Sequence, residues 1–187
     1  MRQGLCGALA TLLFGALAGC GYTTESTLPA RYQTVHVQPF ENKSREYELE
    51  APLTNALTRK FITDGRLQVK DQEAADLLLD GAILDYQLKG LTFDKNDRVT
   101  QFLVVVAANA RLTDTATSEV IWEEKLMSGE TTYYTRAVGQ SADRLRGNAE
   151  AYVAPVNTFP SAEENRAAAE ALEQLASDIF YRTVEPF

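Results

Sequence analysis

Ala75-Asp76-Leu77-Leu78-Leu79-Asp80-Gly81-Ala82-Ile83-Leu84 is the stretch on which the fold turns. Its apolar residues follow no helical spacing and continue through Leu88, so it reads as one long strand. Gly81 inside the run signals a bulge or the close approach of a helix. Upstream, Leu67-Gln68-Val69-Lys70 suits a short strand. Before it, Leu49, Leu53, Ala56, Leu57, Lys60 and Phe61 recur at spacings of three and four, which lays an apolar stripe along a helix. Pro52 fits only the first turn of that helix, placing its start near Glu48 to Ala51, and Asp64-Gly65 stops it. Earlier still, Gln33 to Gln38 alternates with period two, so Val35 and Val37 face a core, His36 faces away and Pro39 ends the strand. A strand, a helix and a returning strand make a right-handed crossover. The first strand is therefore expected parallel to one that follows the helix.

Downstream, Asp94-Lys95-Asn96-Asp97 makes a hairpin turn; it lacks the glycine and the distant glutamate of a calcium loop. Val99 to Leu112 is the longest strand candidate. Phe102, Val104, Val106, Ala108, Ala110 and Leu112 share one face, while Gln101, Asn109 and Arg111 share the other with Leu103, Val105 and Ala107. That second face is more apolar than open water favours, so something is expected to cover part of it. Thr113 to Ser118 turns the chain, and Val120 to Leu126 returns antiparallel with Trp122 as its anchor. Residues 129–160 read as a long connection: Thr131 to Thr135 suits an extension of the strand, Ala142 to Tyr152 a short polar helix, and Pro155 and Pro160 bracket a loop. Its Arg136, Arg144 and Arg146 are the densest positive charges of the chain, read first as a solvated surface. Ser161 and Glu164 form a capping box for a last helix striped by Ala168, Leu172, Leu175, Ala176, Ile179 and Phe180. The expected fold is α+β, a two-layer sandwich in which a mixed four- to five-stranded sheet carries two helices on one face, in the order β-α-β-β-β-α.

The N-terminus follows another logic. After Arg2, an apolar run of about fourteen residues from Leu5 to Ala18 is too short for a spanning helix, which needs ~20, but suits a signal-peptide core. It ends in Leu17-Ala18-Gly19-Cys20, which resembles a bacterial lipobox. That resemblance implies cleavage before Cys20, a diacylglycerol on its sulfur and a further acyl chain on its amine. Two or three chains on one residue suffice for stable anchoring, where one alone is marginal. Gly21, in the place where an aspartate would favour the inner membrane, implies the outer membrane. Residues 1–19 are thus read as a signal peptide, 20–32 as an acylated N-terminus and flexible tether, and 33–187 as the folded domain.

Without residues 1–19 the chain has 168 residues and a formal balance of −9. That charge argues against nucleic acid, which demands a basic footprint, and against attraction to anionic headgroups by overall charge. Cys6 leaves with the signal and Cys20 is taken by lipid, so the domain has no thiol for a disulfide, a metal or a nucleophile. His36 is the sole histidine, and there is no phosphate-cradling glycine loop and no metal-ligand cluster. An enzyme is not expected, nor a cofactor.

Several segments in order carry a resemblance: Cys20-Gly21-Tyr22, Val37-Gln38-Pro39-Phe40-Glu41-Asn42, Asp64-Gly65-Arg66-Leu67, Ala75 to Gly81, Asp97-Arg98-Val99 and Glu119-Val120-Ile121-Trp122-Glu123-Glu124. The set resembles the LptE family of lipopolysaccharide-assembly lipoproteins over nearly the whole mature chain, with 129–160 as an insertion. The resemblance implies a protein on the periplasmic side of the outer membrane, seated in an LptD-like β-barrel as plug and folding partner. A glycolipid contact would fall to local cations. Lys89, Arg98 and Lys125 are the candidate ligand-binding residues, with Lys95 and Arg111 beside them. The Val-x-Pro-Phe-x-Asn and Ala-Asp-x-x-x-x-Gly segments are also similar to periplasmic lipoproteins of the CsgG, LpoB and TolB N-terminal type, which implies secretion or regulation of wall synthesis as the alternative.

Overall fold

The strand that begins after Ala75-Asp76 is the organising element of the computed structural model, which describes residues 28–135 and 162–185. In chain order the elements are β1 (Thr34–Val37), β2 (Glu41–Asn42), α1 (Glu50–Asp64), β3 (Gln68–Val69), β4 (Leu77–Phe93), β5 (Val99–Asp114), β6 (Val120–Tyr134) and α2 (Ala162–Val184). The sheet runs β3-β1-β4-β5-β6, and β2 pairs with β4 beside that path. β1 lies parallel to both β3 and β4, as the crossover requires. β4, β5 and β6 are antiparallel neighbours, with register shifts along both ladders. The expected architecture holds, with β2 as an additional two-residue strand.

Both helices pack on one face. Leu53, Leu57 and Phe61 of α1 meet Leu175 and Ile179 of α2 in one core with Val35, Leu77, Leu79, Ile83, Val104, Val106 and Leu112. Burying one such side chain contributes about 1.5–3 kcal/mol, so the helical stripes and the alternating strands specify the same interior. Phe61 and Phe180 join the helices edge to face at 5.1 Å. α1 stops where expected: Gly65 takes the left-handed φ of 76° and returns its N–H to the Phe61 carbonyl at 3.0 Å. Arg66 then pairs with Asp64 at 2.8 Å and reaches Glu185 beyond α2, tying the two helix ends.

Two glycines record close approaches. A Cβ at Gly81 would lie 2.3 Å from the Asn109 carbonyl oxygen and 2.5 Å from the Phe40 ring, so the close approach there is made by the neighbouring strand and an aromatic side chain, and not by a helix. A Cβ at Gly129 would lie 1.9 Å from the Ala171 carbonyl oxygen, so α2 rests directly on β6 at that point. Beside it, the Glu130 N–H donates to Gln174 Oε1 at 3.1 Å, occupying a backbone donor of the edge strand.

Two boundaries differ from expectation. Within the stretch read as tether, Leu28 and Tyr32 are buried in the core, because a lone leucine and tyrosine can pack without any periodic pattern around them. The long connection begins later than residue 129: Gly129 and Glu130 belong to β6, which runs on through the extension read at Thr131 to end at Tyr134, with Gly129 and Tyr133 buried. The signal peptide, Cys20, the expected helix at 142–152, Arg136, Arg144, Arg146 and Ser161 lie outside the described residues.

Candidate functional site

The sheet face away from the helices is organised by register. On β5, Leu103 stands between Lys89 and Thr132, Val105 between Gln87 and Glu130, Ala107 between Asp85 and Ser128, and Arg111 between Asp80 and Glu123. Leu103, Val105 and Ala107 are half-buried. They form an apolar stripe along the central strand, flanked by polar columns, and among the described residues neither helix lies over it. Below the stripe, a concavity of about 370 Å³ is lined by residues including Gln38, Lys43, Asp80, Asn109, Arg111 and Glu123.

The candidate cations are spread along this sheet. Arg111 is occupied: its guanidinium reaches both carboxylate oxygens of Asp80, at 3.0 and 3.2 Å from Nη2. Lys125 sits at a ladder irregularity of β6, opposite the Ala108 to Ala110 segment. Lys89, opposite Leu103, is thus roughly 20 Å away along the strands, at about 3.3 Å per residue. Arg98 lies a further stretch beyond Lys89, beside the turn that also carries Lys95. By the same register Arg98 lies about five residues, roughly 16 Å, beyond Lys89, so the fold strings the three cations along the sheet and does not gather them.

The remaining polar groups fasten the structure. Asp76 Oδ2 accepts the N–H groups of Gln33 and Thr34 and the Thr34 hydroxyl, at 2.9, 3.0 and 2.8 Å. The Gln33 N–H first, then the Thr34 hydroxyl, hold that carboxyl below its usual range. Asp114 accepts the Ala116 and Thr117 N–H groups at 2.8 and 3.1 Å and the Tyr32 hydroxyl at 2.9 Å. Its pKa is lowered likewise, by the Thr117 N–H first and then by Tyr32. Glu164 accepts from the hydroxyls of Tyr86 and Tyr133, at 3.1 and 3.5 Å. Burial, and after it the Glu164 charge, pushes both tyrosines up, Tyr133 to about 12. His36 Nδ1 lies 2.9 Å from the Lys70 carbonyl oxygen, a plain hydrogen-bonded role.

Sequence reasoning missed an apolar ledge on the β4–β5 hairpin. Leu88, Leu91 and Phe93 are 40%, 48% and 57% exposed. The available signal was their position directly before the Asp94 to Asp97 turn, where a strand end usually becomes polar.

A family model described as "LptE: Lipopolysaccharide-assembly" matches residues 32–183. No curated protein matches the chain. Among solved structures, the solution NMR structure of an uncharacterized lipoprotein B from Nitrosomonas europaea is 16% identical, with a TM-score of 0.55 over 87% of this chain and 88% of that one. A minor lipoprotein from Acinetobacter baumannii is 12% identical, with a TM-score of 0.48 over 82% of this chain and 94% of that one. At such identity the first likeness establishes a shared fold.

Proposed function

The chain belongs to the LptE family of lipopolysaccharide-assembly proteins, and from that premise we propose that it is an outer-membrane lipoprotein, acylated at Cys20 on the periplasmic side, that docks with an LptD-like β-barrel as its plug and folding partner. The observation that carries the docking is the stripe of Leu103, Val105 and Ala107 on the sheet face without helices. An apolar strip framed by Gln87, Lys89, Ser128, Glu130 and Thr132 has the layout of an interface, with an apolar centre and a polar rim. Its role is binding and placement, with no bond made or broken.

Lys89, Arg98 and Lys125 are proposed to contact the anionic glycolipid. Their spacing along the sheet supports separate points of contact along an extended ligand, with Arg98 at the hairpin end, Lys89 between and Lys125 towards the other end. Simultaneous charge reversal at all three is expected to weaken glycolipid binding; unchanged binding would remove these residues from the account.

Affinity purification of the full chain from outer membranes in mild detergent tests the partnership. Recovery of a large β-barrel protein is expected. Recovery of a secretion ring or a wall synthase in its place would favour the alternative reading.

A further inference from the structure

β4 outruns the strands on one of its sides. β5 follows it to Phe93, but on the other side β1 covers Leu77 to Leu79 and β2 covers Ala82 and Ile83, and beyond Ile83 no strand among the described residues pairs with it there. The last bond on that side runs from the Lys43 N–H to the Ile83 carbonyl at 2.8 Å. Leu84 is the extra residue of the register shift that follows, and from Asp85 to Gly90 the ladder with β5 is unbroken. Backbone groups of an antiparallel strand point alternately to either side. With the Ile83 carbonyl turned away from β5, the residues turned the same way beyond the shift are Tyr86, Leu88 and Gly90. The Tyr86 N–H is taken by Asp85 Oδ1 at 3.0 Å, while Leu88 and Gly90 are exposed.

The far edge of the sheet is guarded against such pairing. On β6 the Glu130 N–H is held by Gln174 Oε1, register shifts interrupt the strand, and Glu123, Glu124 and Lys125 follow one another along it. The β4 edge carries an exposed leucine, Leu88, at the middle of its open length from Leu84 to Thr92. An antiparallel strand related by a two-fold axis at Leu88 sets Leu88 against its own copy, Tyr86 against Gly90 and Gln87 against Lys89 of the second chain. Gln87 Nε2 already donates to Asp85 Oδ2 at 2.6 Å, which leaves its carbonyl oxygen for the Lys89 ammonium. Moving the axis to Lys89 would oppose two ammonium groups. Moving it to Gln87 would drive Leu91 of one copy onto Ile83 of the other, where Lys43 is already bonded. The edge is thus complementary to itself in one register.

We infer that this edge takes a second copy of the chain, β4 against β4 in antiparallel register centred on Leu88, so that two sheets run together across a two-fold axis. The docking proposed above uses the face of the sheet and not this edge, so the pairing stands or falls without it.

Residues 21–187 contain no cysteine, so an introduced thiol reports on its own surroundings. The full chain, in detergent with micelles in excess over polypeptide, is mildly oxidised as Gln87→Cys, as Lys89→Cys and as an equal mixture of the two, with Leu126→Cys on β6 for comparison. Opposed residues of this kind bring their Cα atoms to about 4.5 Å, within reach of a disulfide. The mixture is expected to give a covalent dimer joined between positions 87 and 89, read from the mass of the linked peptides. Each variant alone, and Leu126→Cys, should give little or none. Sedimentation of the unaltered chain should show twice the mass of one polypeptide. Leu88→Asp, which sets like charges on the axis at an exposed position, should return it to the single mass with its circular dichroism unchanged; if that variant does not fold, the pattern of linkage decides alone. A monomeric unaltered chain, a dimer that survives in folded Leu88→Asp, or linkage of either cysteine variant to itself as readily as in the mixture overturns the inference.

Discussion

The Tyr32 hydroxyl donates to Asp114 Oδ2 across 2.9 Å and so ties the residues just before β1 to the last residue of β5. Arg31 stacks over the Tyr32 ring at 4.6 Å and lies 3.7 Å from the same carboxylate. Any tether from Cys20 is therefore effectively shorter than its sequence, ending near Leu28. Tyr32→Phe removes one of the three hydrogen bonds named for this carboxylate and should lower Tm by a few degrees without changing the fold, checked by thermal melts with circular dichroism.

Acid should act through the same carboxylates. Asp76 and Asp114 have folded pKa values below their unfolded values. Their contribution to stability is present above the unfolded value of about 3.9 and is lost as pH falls through the lowered folded values. Denaturant midpoints measured from neutral pH downward should decline below about pH 4, and Asp76→Asn should flatten that decline.

Alkali works in the opposite direction on Tyr86 and Tyr133. Their folded pKa values are raised above about 10, so the associated stability is full below that pH and is lost as pH climbs, through about 12 for Tyr133. Phenolate absorbance should show a component from these two ionising well above the ordinary tyrosine value of about 10. In Glu164→Gln they should titrate earlier, though still late, since burial is the larger cause.

Gly129→Ala places a methyl group against the Ala171 backbone. Neither partner is a flexible side-chain end, so α2 must shift from β6 at a cost of about 3 kcal/mol. Chemical denaturation should report that loss; an unchanged midpoint would contradict the close packing of the two elements.

Cys20→Ala should leave an uncleaved precursor that fails to reach the outer membrane, as read by the mass of the N-terminus and by membrane fractionation. Normal processing and sorting would contradict the anchor.

Much of this structure is legible in the residues. Val35 and Val37, the six inward residues of β5 and the stripes of both helices repeat at the period of their element, and Gly65 punctuates α1 as its left-handed backbone demands. What escapes is aperiodic. Glu41 and Asn42 make a strand of two residues that looks like a polar turn, and Leu28 and Tyr32 pack without any surrounding pattern. The cations could be named from sequence, but register decides their fate: Arg111 faces Asp80 and is occupied, while Lys89 and Lys125 are separated along the sheet. The apolar ledge was hidden because an apolar residue at a strand end looks like core until the helix layer is seen to stop short of it.

The central claim is that the helix-free face of the sheet is the docking surface. A photo-crosslinking residue at Val105 in otherwise intact cells tests it most directly, with Arg59 on α1 as the comparison position. The account predicts a conjugate between the Val105 position and a large outer-membrane β-barrel polypeptide, and little or none from Arg59. Capture from Arg59 alone, or no conjugate from Val105, would contradict it.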